Sequence, residues 1–93
     1  MAGNQLYQVQ LEKLRELEAH INRVNGEVQN TMRGYSHRIT GLASEGLPME
    51  VHDKVMTEFY LPSQNCANQI SQICENAVQY VRRHIQGLEQ LLG

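Results

Sequence analysis

Apolar residues recur at every third or fourth position through the first half of the chain, with mainly polar and charged residues between them. This spacing averages about 3.5 residues and is typical of a helix that presents one face to another helix. It predicts a first helix over residues 4–43, with Gly34 as the position where a break is most expected. The apolar positions are Tyr7, Leu11, Leu14, Leu17, Ile21, Val24, Val28, Met32, Tyr35, Ile39 and Leu42.

The periodic pattern stops at residues 44–48, which read Ser-Glu-Gly-Leu-Pro. Gly46 suits the end of a helix. Pro48 restricts Leu47 to extended geometry and also suits the first turn of a new helix. We therefore predict that the chain reverses here and lays two segments of similar length side by side as an antiparallel helical hairpin.

Helical spacing resumes at Met49 and predicts a second helix over residues 49–92, interrupted near Pro62. This proline either kinks one long helix or begins a new one, with Ser63 in its first turn. Beyond it, the apolar face is broader than a seam between two helices requires. Its members are Cys66, Ile70, Ile73, Cys74, Ala77, Val78, Val81, Ile85, Leu88, Leu91 and Leu92, and Tyr80 flanks it together with Ile73.

Such a broad apolar face favours packing in a bundle of three or more helices. We expect an all-α fold with a single domain over residues 1–93, in which the hairpin completes a four-helix bundle with a second chain, identical or different. The alternative is a monomeric three-helix fold in which residues 49–61 fold back. The predicted partner interface is Leu14, Leu17, Ile21, Val24, Val28, Ile70, Ile73, Ala77, Val81, Ile85 and Leu88.

Charge and composition narrow the class of partner. The chain has 93 residues, eight basic and ten acidic side chains and no Trp. This balance gives no electrostatic reason to expect nucleic acid or an anionic membrane. The local basic run, Arg82-Arg83-His84, is interpreted as a solvated helix face. Without a leader-like start or an apolar run of about 20 residues, we expect a cytoplasmic protein, or one exported by a leaderless route, with no membrane insertion.

The two cysteines, Cys66 and Cys74, are eight residues apart on one predicted helix. At a rise of about 1.5 Å per residue, their backbones are about 12 Å apart, beyond the reach of a disulfide. We expect both to be buried free thiols.

The histidines show no spacing that would place two metal ligands on one helical face. Glu16 and His20 are four residues apart and are interpreted as a solvated pair, and His52 and Asp53 are expected to point in different directions. Neither a nucleophile turn nor a phosphate-binding glycine loop is present in the sequence. We expect no metal, no cofactor, no small-molecule substrate and no catalytic residue, so the chain is not expected to be an enzyme.

A chain of just under a hundred residues, with two long amphipathic helices that reverse at its midpoint, resembles the small Trp-x-Gly helical-hairpin proteins of type VII secretion. The resemblance spans nearly the whole chain and is one of architecture. Residues 41–48 contain no Trp, and Tyr80 is followed four residues later by His84, where that family has the acidic residue of its export signal. The resemblance implies a dimeric four-helix bundle in which this chain either relies on its partner for the export signal or is a divergent accessory protein.

That resemblance also implies a secretion-associated partner, targeting factor or chaperone that binds a helical segment of a larger effector. The proline in the turn, Pro48, gives a second and partial resemblance to the needle subunits and small chaperones of type III secretion. Two functions follow as hypotheses. The first is a non-catalytic protein-protein interaction module, and the alternative is a homo-oligomeric structural subunit or scaffold.

Overall fold

The computed structural model describes the backbone of residues 2–93 and the side chains of residues 5–93. Over this range the chain is helical, and no strand occurs in it, so the predicted all-α class is confirmed. The elements are α1 (Ala2–Ala43), α2 (Met49–Val55), a π-helical segment (Met56–Tyr60) and α3 (Leu61–Leu92).

Helix α1 runs without a break through Gly34, where an interruption was most expected. A glycine inside a helix costs about 1 kcal/mol relative to alanine. Ending the helix there would instead leave several backbone groups without intrahelical partners, which is the larger cost. The glycine is therefore tolerated, and the long first helix is continuous.

The predicted break at residues 44–48 is confirmed. The amide of Ser44 still donates to the Thr40 carbonyl at 3.0 Å, after which Gly46 takes a left-handed conformation with φ of 87°. Pro48 is extended, with φ of −55° and ψ of 145°, and its carbonyl accepts the amide of His52 at 2.9 Å. The glycine ends one helix and the proline begins the next, as their conformational preferences dictate.

Pro62 is accommodated by a π-helical segment, so the helical backbone is continuous from Met49 to Leu92. Proline has no amide hydrogen, and its ring clashes with the carbonyl four residues earlier in a regular α-helix, here that of Glu58. The amide of Leu61 bonds instead to the Met56 carbonyl, five residues back. This wider turn relieves the conflict without ending the helix.

The chain divides into two compact units. Unit 1 is the described part of Met1–Asn25 together with Ile73–Gly93, and unit 2 is Gly26–Gln72. In unit 1, a small core forms where α1 and α3 pack together. Leu11, Val81 and Ile85 are its buried members, and Leu14, Ile21, Leu88 and Leu92 pack against them.

Unit 2 is held together by small buried residues and by hydrogen bonds between its two helical parts. Ala43 and Ala67 are buried there, and Ser36 is a buried polar residue. The side-chain amide of Gln29 donates to the Ala67 carbonyl at 2.9 Å, and that of Gln64 donates to the Ser36 hydroxyl at 2.9 Å. Small residues allow close approach of the helices, and the hydrogen bonds satisfy groups that packing removes from water.

Candidate protein-binding surface

Large apolar side chains are exposed along one face of each helix of unit 1. On α1, Leu6, Val9, Leu17 and Val24 are separated by three, eight and seven residues, so they share one helical face. On α3, the corresponding side chains are Ile73, Tyr80 and Leu91, at helical spacings of seven and eleven. Ile73 and Tyr80 are 65% and 64% exposed.

These two faces meet along one side of unit 1. An open groove of about 570 Å³ lies between the helices. Its walls come from Val9, Gln10, Lys13, Leu14 and Leu17 of α1 and from Tyr80, His84 and Leu88 of α3. We call this surface the apolar side of unit 1; it consists of Leu6, Val9, Leu17, Val24, Ile73, Tyr80 and Leu91.

The opposite flank of the same helix pair carries ion pairs. The guanidinium of Arg82 donates to the Glu18 carboxylate, and Arg15 lies 3.8 Å from the Glu89 carboxylate. Neither pair lines the groove, because these residues lie across their helices from the exposed apolar positions. Ion pairs therefore join the two helices on one flank, and apolar side chains are exposed to solvent on the other.

Side-chain contacts occur within the groove and in a hollow beside it. The rings of Tyr80 and His84 meet edge to face, with centroids 4.8 Å apart. A second hollow beside Leu17 is lined by Lys13, Glu16, Leu17, Ala19, His20 and Arg23. In it, Lys13 pairs with Glu16 at 3.5 Å, and the Arg23 guanidinium lies 2.7 Å from Nδ1 of His20.

The eleven residues of the predicted partner interface fall into three groups. Val81 and Ile85 are buried in the core of unit 1, and Leu14, Ile21 and Leu88 pack against that core. Leu17, Val24 and Ile73 are exposed on the apolar side. The half-buried remainder consists of Val28 and Ile70 in unit 2 and Ala77 in unit 1. Contact with a partner stays a prediction for all of them, and the exposed group is the one that a second chain reaches directly.

The pattern did not single out Leu6, Val9 and Leu91 as surface positions, and it gave Tyr80 only a flanking place. For Leu6 and Val9, which are on α1, the sequence does contain a signal. The positions Leu6, Val9, Lys13, Leu17, His20 and Val24 follow one another at steps of three and four. Lys13 and His20 interrupt the hydrophobicity of this second stripe, which is why it is less apparent than the core stripe.

Several smaller expectations need correction. Cys66 is exposed and Cys74 is half-buried, so the expected burial of both thiols is wrong for Cys66, although both are free. The Glu16–His20 pair does not form. Glu16 instead forms an ion pair with Lys13, and His20 forms a hydrogen bond with Arg23, each three residues away.

His52 and Asp53 do approach each other, with Nδ1 and Oδ1 3.4 Å apart. The Cα–Cβ bonds of successive residues on a helix point in directions about 100° apart, but these two side chains bend toward each other. Within residues 2–93, no group of three or more His, Cys, Asp or Glu side chains is placed to hold a metal ion. In the same range, no helix is both long enough and apolar enough to span a membrane.

Neither a protein-family model, nor a curated protein, nor a solved structure matches this chain. The functional argument therefore rests on the residues and contacts described above.

Proposed function

We propose that this chain is a non-catalytic protein-protein interaction module that binds an amphipathic helical segment of another protein on the apolar side of unit 1. The observation that carries the proposal is the alignment of seven exposed large apolar side chains along one side of a helix pair. Burial of exposed apolar surface in a complex contributes roughly 25 cal/mol of favourable free energy for each Å² removed from water. A contiguous apolar patch bordered by polar residues is typical of an interaction site.

The arrangement proposed for the whole chain is an antiparallel hairpin that completes a four-helix bundle with a partner. In unit 1, Arg15 and Glu18 contact Glu89 and Arg82, so later residues of α1 meet earlier residues of α3. The hydrogen bonds of Gln29 to Ala67 and of Gln64 to Ser36 follow the same order in unit 2. These pairings support the hairpin, and the open apolar side supports the added helices.

The resemblance to the small hairpin proteins of type VII secretion extends this proposal to a biological role. On that resemblance, the bound segment belongs to a larger effector, and the chain acts as its partner, targeting factor or chaperone. This role and the binding surface are separable, since the surface argument depends only on unit 1.

A matched pair of substitutions tests the binding surface. Leu17→Glu places a charge on the apolar side, and Leu42→Glu makes the same change at an exposed leucine of α1 in unit 2. Proteins retained by each tagged variant in the source cells would be quantified by mass spectrometry, with circular dichroism as the folding check. We expect Leu17→Glu to lose a partner that the unaltered chain and Leu42→Glu retain. Equal retention by both variants would exclude the apolar side as the binding surface.

A homo-oligomeric subunit is the second candidate, and unit 2 gives it one specific observation. Residues 45–59 contain four acidic side chains and one lysine, together with the exposed side chains of Met49 and Phe59. An acidic apolar segment of one copy and the apolar side of another would form a head-to-tail contact, which generates open filaments unless it closes into a ring. Sedimentation at several concentrations distinguishes an open filament from a closed ring, because only the filament grows without limit.

A further inference from the structure

We propose that a polar hollow in unit 2 binds the phosphate group of a small phosphate monoester. The hollow has a volume of about 350 Å³, and its walls come from both helical parts of that unit. They are Arg33, Gly34, Ser36 and His37 of α1, Tyr60 of the π-helical segment and Gln64 of α3. Because the apolar side consists of unit 1 residues, this ligand site is independent of the proposed protein-binding surface.

Helical spacing and one hydrogen bond between helices bring these side chains together. Arg33 and His37 are four residues apart on α1, with Ser36 between them at three residues from Arg33, so the three share one face. Tyr60 and Gln64 are also four residues apart, and the Gln64 amide donates to the Ser36 hydroxyl at 2.9 Å. The two groups are more than 20 residues apart in sequence and meet only in the fold, so no sequence motif indicates the site.

The hydrogen-bond donors of this hollow are largely unused by the protein. Among the described residues, the side chains of Arg33, His37 and Tyr60 form no hydrogen bond or ion pair. Ser36 is 8% exposed, and its hydroxyl accepts the Gln64 amide but donates to no described residue. A buried hydroxyl donor without an acceptor costs free energy. The Ser36 hydroxyl therefore requires an acceptor from outside the chain.

Basic side chains line the hollow, and acidic ones do not. Residues 28–44, which include Arg33, contain no Asp or Glu, and residues 59–74 contain no charged side chain. The acidic side chains of unit 2, none of which lines the hollow, are Glu27, Glu45, Glu50, Asp53 and Glu58. The nearest in sequence, Glu58, precedes Tyr60 by two residues and so starts toward the opposite side of that helix. The hollow is therefore suited to an anion.

A phosphate monoester fits these donors better than a carboxylate does. It carries a charge of about −1.5 to −2 at pH 7 and presents three strong acceptor oxygens. The Arg33 guanidinium can bind two of them as a fork, and Ser36, His37 and Tyr60 supply donors from other directions. A carboxylate has a single charge and two oxygens in one plane, so it would leave part of this set unused. The volume is near the lower limit of ligand pockets, about 300 Å³, so the group esterified to the phosphate must be small.

A titration of the full chain with four anions tests the site. The probes are inorganic phosphate, glycerol 3-phosphate, acetate and chloride, and proton–nitrogen correlation spectra are recorded at constant ionic strength. We expect saturable shifts at residues 33–37 and 60–64 with both phosphates, with glycerol 3-phosphate binding at least as tightly as inorganic phosphate. Acetate should bind about tenfold more weakly, and chloride should cause no saturable shift.

A double variant with a matched control locates the anion. Arg33→Gln/His37→Gln removes both basic side chains of the hollow, and Arg23→Gln/His20→Gln makes the same change on α1 in unit 1. The first should weaken glycerol 3-phosphate binding by about tenfold or more, and the second should leave it unchanged. All four positions are exposed, so circular dichroism should show unchanged helix content in both variants.

A single hydroxyl provides a finer test. Tyr60→Phe removes a group that forms no hydrogen bond with any described residue, so urea denaturation should show unchanged stability. Binding of glycerol 3-phosphate should nevertheless weaken about threefold or more, because the ester loses one donor. Tyr7→Phe, at a half-buried tyrosine of unit 1, is the control and should bind as the unaltered chain does.

The other outcomes overturn the proposal, each for a different reason. Without saturable shifts from either phosphate, or with equal losses in the two double variants, the hollow is not an anion site. Equal binding of acetate identifies a carboxylate site instead. A phosphoserine peptide that binds about tenfold more tightly than glycerol 3-phosphate identifies a phosphorylated protein as the ligand. None of these results bears on the apolar side of unit 1, which Leu17→Glu tests separately.

Discussion

The side-chain amide of Gln64 donates a hydrogen bond of 2.9 Å to the hydroxyl of Ser36, a buried residue 28 positions earlier in the chain. The bond joins α1 to α3 within unit 2, where few large apolar side chains are buried. The carbonyl of Ser36 also accepts the Thr40 hydroxyl at 2.9 Å. A polar contact thus holds two helices together at a place where hydrophobic packing is thin.

This contact predicts a measurable coupling energy. Ser36→Ala removes the acceptor and leaves the Gln64 amide partly buried without it, which should lower the free energy of unfolding by about 1 kcal/mol. Gln64→Ala should cost a similar amount, and the double variant less than the sum. Urea denaturation of the four proteins in a double-mutant cycle measures the coupling, expected at about 0.5–1.5 kcal/mol. Strict additivity would mean that the two side chains do not interact in solution.

Two isoleucines of α3 should behave in opposite ways. Ile85 is buried in the core of unit 1, whereas Ile73 is 65% exposed on the apolar side. Ile85→Ala should lower the free energy of unfolding by about 2–4 kcal/mol, because it leaves a cavity. Ile73→Ala should change it by less than about 0.5 kcal/mol and should instead weaken retention of the partner that binds the apolar side. Denaturant melts measure the stability of both variants, and mass spectrometry of the retained proteins measures partner binding; a large stability loss at Ile73 would contradict the assignment.

These isoleucines also show how far the sequence determines the site. Apolar spacing predicted that both lie on or beside a packed face of a helix, and it correctly predicted the helices that contain them. Spacing alone does not distinguish an apolar residue that packs within the chain from one that remains open, because both recur at helical intervals. That distinction depends on where α1 lies against α3, which the contacts of Leu11 and of the Glu18–Arg82 pair reveal.

The start of α3 shows a different limit. Proline at position 62 predicted a kink or a new helix, since these are the common responses to a missing amide. The chain uses a π-helical segment over Met56–Tyr60, in which the Thr57 hydroxyl also bonds to the Asp53 carbonyl at 2.9 Å. A π turn depends on a balance of individual hydrogen bonds, and no residue pattern specifies it.

The two prolines should respond oppositely to replacement by alanine. Pro62 lies in helical backbone, and Leu61 before it is in the α-helical region, which a following proline disfavours. Pro62→Ala should therefore raise the free energy of unfolding by about 1 kcal/mol or more and allow regular α-helical bonding. Pro48 is extended at the start of α2, a conformation that suits proline, so Pro48→Ala should lower stability by about 0.4–1 kcal/mol. Urea denaturation measures both signs, and amide exchange reports on residues 56–62. A loss of stability in Pro62→Ala would show that the π-helical segment is favoured on its own account.

Two glycines of unit 2 provide the last matched test. Gly46 has φ of 87°, a conformation that costs an alanine about 1–2 kcal/mol, although no atom stands where its Cβ would lie. Gly26 is in the interior of α1 with equally open space around it, so alanine there should gain about 0.5–1 kcal/mol. Both changes add the same methyl group within one compact unit, and chemical denaturation at a fixed protein concentration compares them directly. Because steric crowding is absent at both sites, the difference in sign isolates the backbone conformation. Stabilisation by Gly46→Ala would mean that α1 continues past Ala43 and that the chain does not turn at Gly46.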